Sequence, residues 1–260
     1  MKKYRTMITF SKYAGIFCIA LLSACVKDHE PEVDPTPEYT VIKGSGDLTS
    51  ELADFRGLLG DPLNTTPNQP PVGRREINWD AVPDNLTNTN TFPGDFFNST
   101  DPAAPAGRKR GAIFSTPGTG LRVSNNNFID VLPGDLNKFN TFSPARTFAA
   151  TGSTKMDVTF KVPGTANNAF VKGFGVIFSD ISVADKTTLE FFAGNKSLGK
   201  FYAPVRTDAN GFSFLGVVFK NTKVTKVTIT TGTDAVDKQI VGPADKVIMD
   251  DFFYSEPQLQ

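Results

Sequence analysis

Between Phe212 and Phe219 the chain reads FSFLGVVF, a run that is apolar on both of its alternating faces. In an extended strand Phe212, Phe214, Gly216 and Val218 point one way, and Ser213, Leu215, Val217 and Phe219 the other. Such a strand must be covered from both sides, which predicts a central position in a layered β fold. It is one of nine comparable runs beyond Gly111: Ala112 to Ser115, Leu121 to Ser124, Met156 to Val162, Val171 to Ser179, Thr187 to Phe192, Leu198 to Ala203, Phe212 to Phe219, Val224 to Thr231 and Val247 to Tyr254. Each is rich in Val, Ile, Phe or Thr and is closed by turn residues. AGNKS, around Gly194 and Asn195, predicts a hairpin, and TDANG, ending at Gly211, joins the next pair.

Short strands with no helices between them predict an all-β fold, an antiparallel β-sandwich of jelly-roll type, within the size that such folds reach as one domain. Of the 23 phenylalanines, 21 lie beyond the first 24 residues, which makes phenylalanine the main core material. One short N-terminal helix is expected in SGDLTSELADFRGLLGD, where Leu48, Leu52, Phe55 and Leu59 share a face, Ser45 or Asp47 can cap the start and Gly60 can end it. Residues 61 to 110 are rich in Pro, Asn, Thr and Gly and predict a long irregular segment that serves a function or wraps the core.

The first residues carry Lys2, Lys3, Arg5 and Lys12 with no acid, followed by an apolar run from Ile16 to Leu22 that is too short to span a bilayer. Leu22, Ser23, Ala24 and Cys25 follow, and these four positions resemble the bacterial lipoprotein lipobox. That resemblance implies a signal peptide over residues 1 to 24 and acylation of Cys25, hence a stable membrane anchor through two or three acyl chains. Residues 25 to 46, acidic and proline-rich, are then a lipidated cysteine and flexible tether, and residues 47 to 260 a single β-sandwich domain. The acids behind the cysteine loosely resemble export signals of Bacteroidota lipoproteins, so the cell envelope, with the outer membrane favoured, is the expected location.

Loss of the signal removes four positive charges and leaves 23 basic against 27 acidic residues, a formal charge of −4. That balance argues against a nucleic-acid partner. Cys18 leaves with the signal, Cys25 carries the lipid and the single histidine, His29, sits in the tether. A Ser-His-Asp hydrolase, a histidine-ligated zinc site and thiol catalysis are therefore excluded from the folded domain. A paired-carboxylate glycosidase remains open, because it needs only two acids, but no spacing singles out a pair.

From about Phe55 to Pro257 the chain resembles a family of uncharacterised secreted bacterial proteins, through GRREINWDAVPD, GAIFSTPGTGLRVS, FSPARTF, GFGVIFSDI, LEFFAGNKSLGKFYAP, FSFLGVVF and VIMDDFFYSEP. The second half also resembles jelly-roll modules of secreted bacterial proteins, many of which bind carbohydrate and some of which hold structural calcium. The resemblance supports the fold and the export, and implies no activity.

The candidate sites each carry two readings. In GRREINWD a strand would put Arg75, Ile77 and Trp79 on one side, and Arg74, Glu76, Asn78 and Asp80 on the other. Glu76, Asn78 and Asp80 would then align oxygen donors for calcium or sugar hydroxyls, with Trp79 as a ligand-binding ring. Alternatively Ile77 and Trp79 plug the sandwich and the arginines pair with acids. In VIMDDFFYSEP, Val247, Met249, Asp251 and Phe253 would share one face, and Ile248, Asp250, Phe252 and Tyr254 the other. An inward aspartate needs a partner. By resemblance to the carbohydrate-binding modules, Asp250 or Asp251 would ligate calcium with Glu76 or Asp80; otherwise Arg74, Arg75 or Arg146 would pair with it. Asn125 and Asn126, in SNNNF, could meet sugar hydroxyls or simply form a turn. RKRG, Arg108 to Gly111, predicts a solvated loop, and STPGTG lacks the lysine and helix of a phosphate loop.

The expected function is a lipid-anchored binding module for a glycan or another surface ligand, without catalysis and with calcium as a structural ion. The alternatives are a structural or adhesive surface protein and, last, a carboxylate glycosidase.

Overall fold

Two antiparallel sheets account for most of the computed structural model, which describes residues 36–68, 70–132, 138–209, 211–239 and 244–260. The signal, Cys25 and the tether up to residue 35 lie outside the described residues. In chain order the elements are β1 (Tyr39–Ser45), α1 (Thr49–Leu59), β2 (Arg74–Ile77), β3 (Ala112–Ser115), β4 (Gly120–Ser124), β5 (Thr147–Thr151), β6 (Lys155–Phe160), β7 (Ala169–Phe170), β8 (Gly173–Ser179), β9 (Thr188–Ala193), β10 (Lys196–Tyr202), β11 (Phe212–Phe219), β12 (Lys226–Thr230), β13 (Ile248–Ser255) and β14 (Gln258–Leu259).

The first sheet runs β1-β11-β8-β13-β5-β4, with β2 also paired to β13, and the second runs β10-β9-β12-β6-β3. Spatial order β5-β13-β8-β11 in one layer and β6-β12-β9-β10 in the other is the two-Greek-key arrangement of an eight-stranded jelly roll. The β3–β4 connection spans the two layers at one edge, and β1 extends the first sheet at the other. The predicted all-β sandwich with one short helix is the observed architecture. The AGNKS turn closes the β9–β10 hairpin in register, Ala193 opposite Lys196. The connection ending at Gly211 instead carries the chain from β10 in one sheet to β11 in the other.

The core lies between the sheets. Phe148, Phe174, Val176, Leu215, Val217 and Tyr254 from the first layer pack with Met156, Val158, Leu189, Phe191, Val227 and Ile229 from the second. A second cluster covers the outer face of the first sheet, where Leu48, Leu52, Phe55 and Leu59 of the helical segment meet Ile177, Phe214 and Phe253. FSFLGVVF is buried on both faces for this reason: Leu215, Val217 and Phe219 join the inter-sheet core and Phe214 joins the helix side. Gly216 stands directly opposite Gly175 on β8, and a Cβ at either position would lie 2.5 or 2.7 Å from the Phe55 ring. The paired glycines form a recess that seats the aromatic ring of α1.

Three features differ from the sequence expectation, the first being β5 (Thr147–Thr151), a fully buried strand outside the nine expected runs. The tether does not reach residue 46: β1 pairs with β11 over its whole length, Tyr39 opposite Phe219 through Ser45 opposite Ser213. YTVIKGS alternates, so Val41 packs toward the inter-sheet core and Ile42 toward the helix side, and the described compact unit starts at Pro37. In β13 the register against β8 shifts between Met249 and Phe252. This bulge resets the alternation. Val247, Met249, Phe252 and Tyr254 therefore face the inter-sheet core, and Ile248 and Phe253 face outward, in place of the strict alternation expected.

Candidate binding site

The strand β2 ends at Ile77, and the chain then passes through Trp79 with φ of 66°. Both Ile77 and Trp79 enter the core, the indole being 1% exposed. Its ring stacks on Phe148 with centroids 3.9 Å apart and an 11° tilt, and meets Phe252, Phe97 and Phe92 edge-on. Nε1–H donates to the Asp250 carbonyl at 2.7 Å. Every face of the indole is occupied, so Trp79 is a packing latch and the ligand-binding role expected for it is withdrawn.

The polar side of the same segment is also committed within the protein. Glu76 receives Nε–H and Nη2–H of Arg56, both at 2.9 Å, and Nε–H of Arg74 at 2.9 Å. Burial would raise this carboxyl, but the hydrogen bonds from Arg56 and Arg74 outweigh it and hold Glu76 below its ordinary range. Arg75, 0% exposed, makes a two-pronged pair with Glu256 at 2.7 and 2.8 Å. Asp80 Oδ1 accepts the backbone N–H groups of Ala145 and Arg146, and its Oδ2 accepts Nδ2–H of exposed Asn78 at 2.9 Å. Arg146 returns to the Asp80 carbonyl at 2.6 Å and to Asp84 at 2.6 Å. The arginine-pairing alternative therefore holds for this segment, Arg74 with Glu76 and Arg75 with Glu256, whereas none of Arg74, Arg75 and Arg146 pairs with Asp250 or Asp251 among the described residues.

At the β13 bulge, Asp250 and Asp251 share the Ser143 hydroxyl, at 3.1 and 2.6 Å, and Asp250 also accepts the Phe142 N–H at 2.7 Å. Burial, followed by the adjacent Asp251 charge, pushes Asp250 up to about 8 against the opposing hydrogen bonds from Phe142 and Ser143. Asp251 is raised by burial, with the charges of Glu76 and Asp80 adding to it. The two carboxyls therefore titrate as a pair, and burial holds both above the ordinary carboxylate range. Both carboxyls are nearly closed to solvent, 0% and 7% exposed, which leaves no room for a substrate. Among the described residues no group of three acidic or histidine side chains is placed to hold a metal. Glu76 and Asp80 face their own partners, so only Asp250, Asp251 and Ser143 remain as converging oxygen donors.

Asn125 and Asn126 follow the turn alternative. Asn125 Oδ1 accepts Nδ2–H of Asn88 at 2.5 Å, while Asn126 accepts Oγ–H of Ser124 at 2.8 Å. None of the expected ligand residues lines either of the two clefts described next.

Open clefts occur elsewhere, at the end of the sandwich where β1 and β8 begin and β11 and β13 finish. One, of about 330 Å³, is lined by Thr159, Phe160, Lys161, Asn168, Ala169, Gly194, Thr225, Lys226 and Gln260. The second, of about 240 Å³, is lined by Phe170, Lys172, Lys220, Asn221, Thr222 and Lys223. The two lie on either side of the segments 168–172 and 223–226, which are bridged antiparallel at Val171 and Val224. Lys161 donates to Asn168 Oδ1 at 2.6 Å, and Lys226 lies 3.5 Å from Asp157 and over the Phe192 ring at 4.3 Å. Lys223 covers the Phe170 ring at 4.6 Å, and Lys220 pairs with Glu38 at 3.1 Å. Neither cleft is lined by an Asp or Glu side chain. The sequence signal that could have located them is KNTKVTK, three lysines at spacings of three on a turn between strands.

The site defines a β-sandwich module with polar, amine-lined clefts at one end. No protein-family model matches the chain, and no curated protein is significantly similar to it.

Proposed function

We propose that the protein is a membrane-anchored binding module of the bacterial cell envelope, held by lipid on Cys25, with the outer membrane favoured, that engages a surface glycan without chemical turnover. The observation that carries this reading is the cleft of about 330 Å³, lined by the polar residues Thr159, Asn168, Thr225 and Gln260 beside two lysines. Hydroxyl and amide groups on a concave surface suit sugar hydroxyls, and a cleft lined by no Asp or Glu side chain offers no paired-carboxylate site. Calcium enters as a structural ion only through Asp250, Asp251 and Ser143; what favours it is a pair of buried acids without a basic partner among the described residues. A nucleic acid is not part of the reading, in view of the acidic mature chain.

The test is a glycan microarray with residues 37–260, run with calcium and with chelator. A specific signal that is reduced by Asn168→Ala and Thr225→Val at unchanged melting temperature supports the cleft. No retained glycan, together with self-association or capture of a surface protein, moves the assignment to a structural or adhesive role. Reducing sugar released from the array ligands would point to a glycosidase.

A further inference from the structure

Residues 37–260 contain 22 basic and 23 acidic residues, so the domain as a whole is nearly neutral. Yet five lysines, Lys161, Lys172, Lys220, Lys223 and Lys226, line two adjoining clefts at one end. The acids that meet them are Glu38, which takes Lys220, and Asp157, which meets Lys226 only at 3.5 Å. Lys172 and Lys223 are exposed and have no carboxylate partner among the described residues. Positive charge gathered in concave surface concentrates counter-charge there.

We propose that the ligand of this end is a polyanionic glycan, a chain whose repeating units carry carboxylate or sulfate groups, lying across both clefts. This rests on the binding-module reading and names its ligand class. Three features favour it. The clefts are lined from the same two segments, bridged at Val171 and Val224, and lysines stand in each. Between the amines stand Thr159, Asn168, Asn221, Thr222 and Thr225, which match the hydroxyls of a sugar ring more closely than a bare phosphate surface. The nearby rings of Phe170 and Phe192 are covered by Lys223 and Lys226, so recognition proceeds through charge and hydrogen bonds rather than ring stacking.

The experiment measures binding of residues 37–260 to oligogalacturonate and to sulfated dextran, with neutral dextran of matched length and vesicles with and without anionic phospholipid as parallel arms. The native domain is expected to bind the anionic oligosaccharides, with affinity falling as salt rises from 50 to 500 mM, and to ignore neutral dextran. K172Q/K223Q/K226Q should weaken that binding about tenfold, as expected for three solvated ion pairs, at unchanged melting temperature. Salt-insensitive binding of neutral dextran that the triple variant retains would overturn the polyanion assignment and leave the binding module standing. Binding to anionic vesicles alone would identify the lysine end as a membrane contact and overturn it equally. No binding in any arm, with a negative glycan array, would end both readings.

Discussion

Trp79 and Asp250 meet at one hydrogen bond, from the indole N–H to the Asp250 carbonyl, and both are spent on holding the sandwich closed. Truncation of a buried, stacked tryptophan removes its packing and leaves a cavity, so Trp79→Ala should cost about 3–5 kcal/mol in urea unfolding, with Trp79→Phe costing less. Asp250 leads to a pH dependence. Its folded pKa is raised from 3.8 to about 8, so through that window the folded state keeps a proton that the unfolded chain has lost. This group's contribution to stability therefore falls as pH rises from about 4 to 8 and levels off above. Asp250→Asn imitates the protonated acid and should flatten the slope and raise the melting temperature at pH 8. A variant that melts lower at pH 8, with a native protein stabilised by calcium, would instead show that the carboxylates hold an ion.

Among the elements, α1 depends on the sheet beneath it. Phe55 enters the recess made by Gly175 and Gly216, and a methyl group at 216 would press on its ring at 2.5 Å. Gly216→Ala should destabilise by about 1–3 kcal/mol through overpacking, and Phe55→Leu should recover part of that loss in a double-mutant cycle. Additive effects would mean that the ring is not seated there. The β2–β13 pair has its own internal lock. Arg75→Met leaves Glu256 buried without its cation, at an expected cost of about 3–5 kcal/mol, while Arg75→Met/Glu256→Gln should regain much of it.

For the whole molecule, β1 closes the exposed edge of the first sheet. Deleting residues 37–46 would uncover the backbone of β11, a row of unpaired donors and acceptors beside an apolar face. The shortened domain is expected to self-associate at micromolar concentration, read by light scattering behind size exclusion, where the full domain stays in a single lower-mass species.

Local pattern determined a large part of this molecule. Nine of the strands beyond Gly111, the apolar face of α1, the AGNKS hairpin and the two-sided burial of FSFLGVVF follow from side-chain period and turn chemistry, which act over a few residues, whereas β5 (Thr147–Thr151) lies outside those nine runs. Tertiary structure decided the rest, because it depends on partners distant in sequence. β1 looked like tether until β11, more than 160 residues away, supplied its hydrogen bonds. The bulge that turns Asp250 and Asp251 away from strict alternation exists only in register with β8. Trp79, Glu76 and Asp80 carried the chemistry of a site in the text of the chain, and the fold gave each of them a structural partner instead. The lysine clefts are the reverse case: KNTKVTK supplies three of the amines in the text of the chain, and only the bridge between segments 168–172 and 223–226 brings Lys161 and Lys172 to the same end.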